Sequence, residues 1–283
     1  PSLADDTQSL ASLKLNYILG QDEYGASRTV ELIDGKFPLP DIAVGRLVET
    51  ATEIMTVVDA YLSDTDSRGV VSQPTSTLVT GYDFLTDVAE AVDAELRAGT
   101  LNARHDTLIV DAQLSPDDPL SWTATDLRRE LLVDGEDIIF LAGHFSAVSA
   151  LASDYKTVAL STDLLSTGAD YTNSIVFSAG CHSGYNIVDR DTVAGADIPS
   201  DWAQVFARKG ATLIAGTGYQ YGDTDFIYYS ERLYLQFAKE LRYGAKGDPV
   251  SVGDAMVRAK QHYLATTPEM TGLHRKSMLI STL

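Results

Sequence analysis

The chain has a single cysteine, Cys181, in 283 residues. An internal disulfide is therefore excluded, and the fold must rest on its hydrophobic core. Basic residues are also scarce, with 21 Lys and Arg against 40 Asp and Glu, a net charge of -19. Such a surface repels phosphate backbones and anionic membranes, so nucleic acid is set aside as a partner. The charge suits either a solvated acidic surface or a preference for basic substrates. No apolar run approaches the roughly eighteen residues of a membrane span, and no basic-plus-apolar leader opens the chain. Internal repeats and low-complexity tracts are missing too. The first residue is Pro1 rather than Met, which reads as a processed form or a piece of a longer protein.

What is present is an ordinary globular composition, 45% hydrophobic and 22% charged, in which two short apolar segments stand out. Residues 137–144 read Asp-Ile-Ile-Phe-Leu-Ala-Gly-His and residues 174–181 read Ser-Ile-Val-Phe-Ser-Ala-Gly-Cys. Each is β-branched and aromatic and closes on small residues, the pattern of a strand covered on both faces. In a parallel sheet His144 and Cys181 would emerge together at one edge, where open α/β sheets bind ligands. A thiol beside an imidazole supplies a nucleophile with its acid/base partner. The bland alternative is that His144 ends a strand and Cys181 packs as a small hydrophobe.

Around these strands the remainder alternates. Residues 15–20 and 41–45 read as short strands, and Thr50 with Glu53 opens a helix to Leu62 whose inward face is Ile54, Val57, Val58, Tyr61 and Leu62. Residues 63–75 are polar and turn-rich, a linker. Its Asp64-x-Asp66 is no calcium loop, since Arg68 takes the fifth position and no acid closes it. Strands then follow at 76–81, 106–112 and 211–216, with helices at 86–97, 123–132, 201–208, 225–242 and 251–264. That alternation implies right-handed crossovers and a mainly parallel sheet sandwiched by helices. The expected division is a small, partial N-terminal α/β subdomain over 1–70 and a larger domain over 71–283.

Other motifs give way on inspection. Gly180-Cys181-His182-Ser183-Gly184 has the composition of a nucleophile elbow, but its central position falls on His182. The Gly216-x-Gly218-x-x-x-Gly222 run puts its third glycine one place late for a dinucleotide fingerprint, and reads as a loop at the sheet edge. Cys181, His182 and His144 lack zinc-ligand spacing and a fourth ligand, so no metal site is assigned.

The strand ending in His144, the strand ending in Cys181 and the upstream Leu39-Pro40-Asp41-Ile42-Ala43-Val44-Gly45-Arg46-Leu47 together resemble the gingipain family of cysteine peptidases, relatives of caspases and legumain. The likeness runs over nearly the whole chain. It implies a caspase-like α/β fold in which Cys181 is the nucleophile and His144 the acid/base of an endopeptidase. It also implies an oxyanion site built from backbone N–H groups at Gly143, Phe145 and Cys181. By the same resemblance the loop after the first strand of the larger domain lines the P1 pocket, so Asp83 would form a floor for Arg or Lys; the alternative is that it caps the following helix or orients His144. Tyr219 and Tyr221 would wall that pocket, with Asp223 as a second acid. His182 would shape the loop.

Two positions depart from the family pattern: Phe145 stands where Gly usually follows the His, and Gly180 where Ala usually precedes the Cys. A non-catalytic, peptide-binding scaffold and a small-molecule thiol hydrolase or acyltransferase are the rival readings. The resemblance implies no cofactor, with calcium entering only as a structural ion. It further implies a protein or peptide substrate, further domains of a longer chain, and a secreted or cell-surface location.

Overall fold

A computed structural model describes residues 19–32, 35–67, 69–133, 135–186, 199–242, 249–270 and 272–283. The elements in chain order are α1 (Asp22–Gly25), β1 (Thr29–Leu32), β2 (Gly35–Pro38), α2 (Ala51–Asp64), β3 (Ser76–Gly81), α3 (Thr86–Gly99), β4 (Arg104–Ile109), α4 (Ala124–Val133) and β5 (Ile138–Leu141). They continue with β6 (Ser149–Leu151), β7 (Val158–Leu160), β8 (Ile175–Ser178), α5 (Trp202–Arg208), β9 (Thr212–Gly216), α6 (Tyr229–Arg242), α7 (Val252–Ala265), α8 (Gly272–Ile280) and β10 (Ser281–Thr282). Six strands form the central sheet in the order β10-β9-β8-β5-β3-β4, all parallel except β10. Two antiparallel pairs, β1-β2 and β6-β7, stand outside it.

Side chains alternate across a strand, and here both faces are apolar. Val79, Phe140 and Phe177 point into one core with Val88, Val92 and Leu96 of α3, Leu233 and Phe237 of α6, and Met256 and Tyr263 of α7. Leu78, Ile139, Leu141 and Val176 point the other way, onto Leu127 and Leu131 of α4 and Trp202, Val205 and Phe206 of α5. The Thr50–Glu53 cap read from sequence is in place, and the structure adds others. Thr50 and Glu53 form the box that opens α2, Asp201 and Gln204 the one that opens α5, and the Ser251 side chain accepts the Asp254 N–H. Each satisfies backbone donors that a helix start leaves orphaned.

Several segments differ from expectation. Residues 41–45 join no ladder; Asp41 and Ile42 donate to the Gly25 carbonyl, and Gln21 reaches the Val44 carbonyl at 2.6 Å. Of the 15–20 strand, residues 15–18 lie outside the described residues, and Leu19 and Gly20 are in no strand. The α2 face is only partly covered: Ile54, Val57 and Val58 are half-buried, Tyr61 and Leu62 exposed. What holds α2 is its polar side, where buried Glu53 meets Arg208 of α5 and the Asn173 amide donates to the Ala60 carbonyl at 2.9 Å. The 225–242 helix starts at Tyr229, because the Asp223 carboxylate turns the chain by accepting the N–H groups of Asp225 and Phe226. Residues 275–280 belong to α8. His274, Ser277 and Met278 recur at helical spacing and are buried, leaving two residues to pair with β9.

Candidate active site

Register carries the site. Thr80 pairs with Leu141, and Leu141 with Ser178, across three adjacent parallel strands. Asp83, His144 and Cys181 each stand three residues beyond those paired positions, so they leave the sheet at the same edge. Hydroxyls tie the strand ends together. Thr80 Oγ1 donates to the Ala142 carbonyl and accepts its N–H, Ser178 Oγ donates to the Leu141 carbonyl, and the Gly180 N–H donates to Ser178 Oγ at 3.0 Å.

His144 sits among aromatic rings, 5.6 Å from Tyr82, 5.9 Å from Phe84 and 5.6 Å from Tyr155, all edge-on. Its Nε2 lies 3.3 Å from Asp83 Oδ2 and 3.2 Å from the Tyr155 hydroxyl, which itself donates to Asp83 Oδ2 at 2.6 Å. A carboxylate only accepts, and the tyrosine proton is already committed to Asp83. Nε2 must therefore carry the ring proton, which leaves Nδ1 as the basic nitrogen. Asp83 (φ 59°) and Tyr155 (φ 54°) both hold left-handed backbone, a strained state typical of functional sites.

Cys181 is half-buried, with Sγ 3.8 Å from the Gln220 carbonyl oxygen. Burial pushes its thiol up, partly opposed by the backbone of Gln220 and of Cys181 itself. Burial thus favours the neutral thiol over the thiolate. Cys181 and His144 line one shallow cleft with Phe84, Gly143, Gln220, Tyr221, Ser230 and Glu231. Among the described residues the N–H of Gly143 donates to nothing and that of Cys181 to no other residue, whereas the His144 N–H donates to the Tyr82 hydroxyl at 3.0 Å. Phe145 is absent from the cleft lining; its ring packs 5.8 Å from Trp202.

The remaining site residues divide. Tyr221 lines the cleft, with the Lys276 ammonium 6.0 Å from its ring centroid. Tyr219 is turned away onto buried His182, 4.5 Å between rings. The Asp223 carboxylate is engaged with its own loop. Sequence reasoning missed Tyr82, Tyr155, Gln220 and Glu231. Glu231 is fully buried in the cleft wall; Oε2 accepts the N–H groups of Asp223 and Tyr228, and Oε1 has no partner among the described residues. Burial, with Asp87 and Asp223 nearby, pushes its carboxyl up to about 8. A signal existed, since Glu231 lies three and seven residues before Tyr234 and Ala238, on the buried side of α6. Gly222 serves this packing: a Cβ there would stand 2.3 Å from Glu231 Oε1 and 2.5 Å from the Phe84 ring. Among the described residues no three His, Cys, Asp or Glu side chains converge as a metal site.

Comparisons with known proteins place the family and the fold. The model of peptidase family C25 matches residues 7–281. The fold is similar to the crystal structure of the Arg-specific cysteine proteinase gingipain R, with TM-score 0.59 and 12% identity over 86% of this chain and 54% of that one. It is also similar to a structure described only as a protease, with TM-score 0.52 and 10% identity over 93% of this chain and 57% of that one. The chain thus spans little more than half the length of the solved relatives. No curated protein matches it in sequence. The chain belongs to peptidase family C25, the gingipain family.

Proposed function

We propose that the chain is the catalytic unit of a cysteine endopeptidase that uses a Cys181–His144 dyad and cuts after basic residues. The observation that carries this reading is the shared cleft: a lone thiol, an imidazole held through its far nitrogen, and N–H groups of Gly143 and Cys181 that donate to no other described residue line one opening. His144 Nδ1 takes the thiol proton as Sγ bonds to the scissile carbonyl carbon. The N–H groups of Gly143 and Cys181 meet the oxygen that becomes anionic. His144 then gives the proton to the departing amine as the C–N bond breaks. Water attacks the thioester with His144 again as base, and the thiol returns.

Asp83 and Tyr155 are assigned to holding the His144 tautomer. That leaves the cation-receiving role to Glu231, whose unpartnered oxygen sits in the cleft wall with Asp87 and Asp223 nearby. A basic P1 side chain would bind as Glu231 gives up its proton, and the ring of Tyr221 suits its long stem. The reaction as written needs no cofactor, and no nucleic acid enters it. The resemblance extends the reading to protein substrates, further domains and a secreted or surface location. Among the described residues no helix is long and apolar enough to cross a membrane.

The test is hydrolysis of a fluorogenic peptide library varied at P1, comparing the chain with Cys181→Ala, Asp83→Asn and Glu231→Gln. Cleavage after Arg or Lys should vanish with Cys181→Ala. Asp83→Asn should lower kcat about 10²-fold at every P1, in the range of general acid–base effects. Glu231→Gln should lower kcat/KM for basic P1 alone. A P1 change with Asp83→Asn and none with Glu231→Gln would exchange their roles. Absence of both cleavage and Cys181 labelling would leave the non-catalytic scaffold standing.

A further inference from the structure

The two departures from the family pattern meet in space. Gly180 is buried, and a Cβ built on it would fall 2.4 to 2.6 Å from three atoms of the Phe145 side chain. No real Cβ tolerates such contacts, so the Phe145 ring fills the space that a methyl at position 180 would need. The ring is held from behind. Phe145 forms a bridge with Ala150, flanked by Ser146 N–H to the Ser149 carbonyl and Leu151 N–H to the His144 carbonyl. On its far side lies Trp202, whose indole N–H donates to the Ser146 carbonyl at 3.1 Å. Phe145 follows His144 directly and Gly180 directly precedes Cys181.

We propose that Phe145 is a positioning residue: its ring, seated on Gly180, sets the backbone that aims the Cys181 thiol and N–H, so positions 145 and 180 act as one coupled pair. The inference rests on reading Cys181 as the nucleophile. It accounts for a bulky residue after the catalytic His without loss of the cleft, because the ring turns toward Trp202 and the cleft lining omits it. It also makes a large residue at 145 and a glycine at 180 mutually required, where a small residue at 145 would admit Ala at 180.

Because Cys181 is the only thiol, its alkylation by iodoacetamide reports its environment whether or not any peptide is cleaved. Rates against pH would be measured for the unaltered chain, Phe145→Ala, Gly180→Ala and Phe145→Gly/Gly180→Ala, with thermal unfolding midpoints alongside. Gly180→Ala should change the rate at pH 8 at least five-fold and move the pH midpoint, and the double variant should return both to within two-fold of the unaltered chain. Should Gly180→Ala fail to fold, Phe145→Ala should still shift the alkylation midpoint, and the double variant should fold and alkylate normally. A folded Gly180→Ala with an unchanged profile would overturn the coupling, as would a folded double variant no better than the worse single one. A chain that alkylates as expected but cleaves no peptide would count against the peptidase reading and leave the coupling intact.

Discussion

At the scale of single residues, exclusion of water makes two groups of the cleft, Cys181 and Glu231, keep protons they would otherwise lose more readily. Cys181 rests as a thiol because burial disfavours its anion, so its alkylation midpoint should lie above that of free cysteine. A midpoint below it would argue for a resting thiolate. Glu231 gives a separate pH signature. Its carboxyl keeps its proton up to about pH 8 in the fold but loses it near the ordinary value of 4.5 when unfolded. The native state then binds the extra proton between those values, and stability falls as pH rises from 4.5 to 8, by on the order of a few kcal/mol. Glu231→Gln removes that slope. Its melting temperature relative to the unaltered chain should rise between pH 5 and pH 8.5, and an equal difference at both would refute the buried acid. For Tyr155→Phe, the loss of the hydroxyl between Asp83 and Nε2 should lower kcat about ten-fold with KM little changed. His144 and Cys181 were legible from their strand endings; Tyr155 was not, because it lies in a loop of no pattern and reaches Asp83 only through the fold.

Elements show a similar division. Strands with continuous apolar runs and helices with capping boxes could be read from local order, since period and caps are properties of neighbours. Segments anchored by distant partners could not. Lys260 of α7, buried and 2.6 Å from Asp22 Oδ1, also donates to the Ser281 carbonyl at 2.7 Å. One ammonium thus joins α1, α7 and β10. Burial pushes Asp22 up and Lys260 down, but the pair offsets much of that cost. Lys260→Ala should destabilise by about 3–5 kcal/mol, since it strands a buried carboxylate. Replacing both partners by apolar residues of like volume should cost less, and denaturant unfolding of the single and double variants measures the difference. Removing the α5 cap with Asp201→Ala should cost about 1 kcal/mol, more if the Asn186 amide, 3.1 Å away, is also released.

For the whole molecule, net charge dominates. Forty acids against twenty-one bases repel one another in the compact state. Raising NaCl from about 20 to 200 mM shortens the Debye length from roughly 20 Å to below 10 Å, and should raise the melting temperature at pH 8. A midpoint insensitive to salt would mean that the charges are locally compensated. The same field favours cationic peptides, so kcat/KM for basic substrates should fall over that salt range while that for neutral ones holds.

Order along the chain was enough to establish a mainly parallel α/β sheet and two strands ending in a histidine and a cysteine, because burial on both faces writes itself into consecutive residues. It also excluded a disulfide within these 283 residues and carried the resemblance in short motifs. Which acid lies beside which group depends on the three-dimensional fold. Asp83 meets His144 through the register of three strands, Glu231 reaches the cleft from a helix face, and Gly180 admits the ring of Phe145 from the neighbouring strand end. Each of these depends on distance between residues far apart in sequence, which local pattern does not encode.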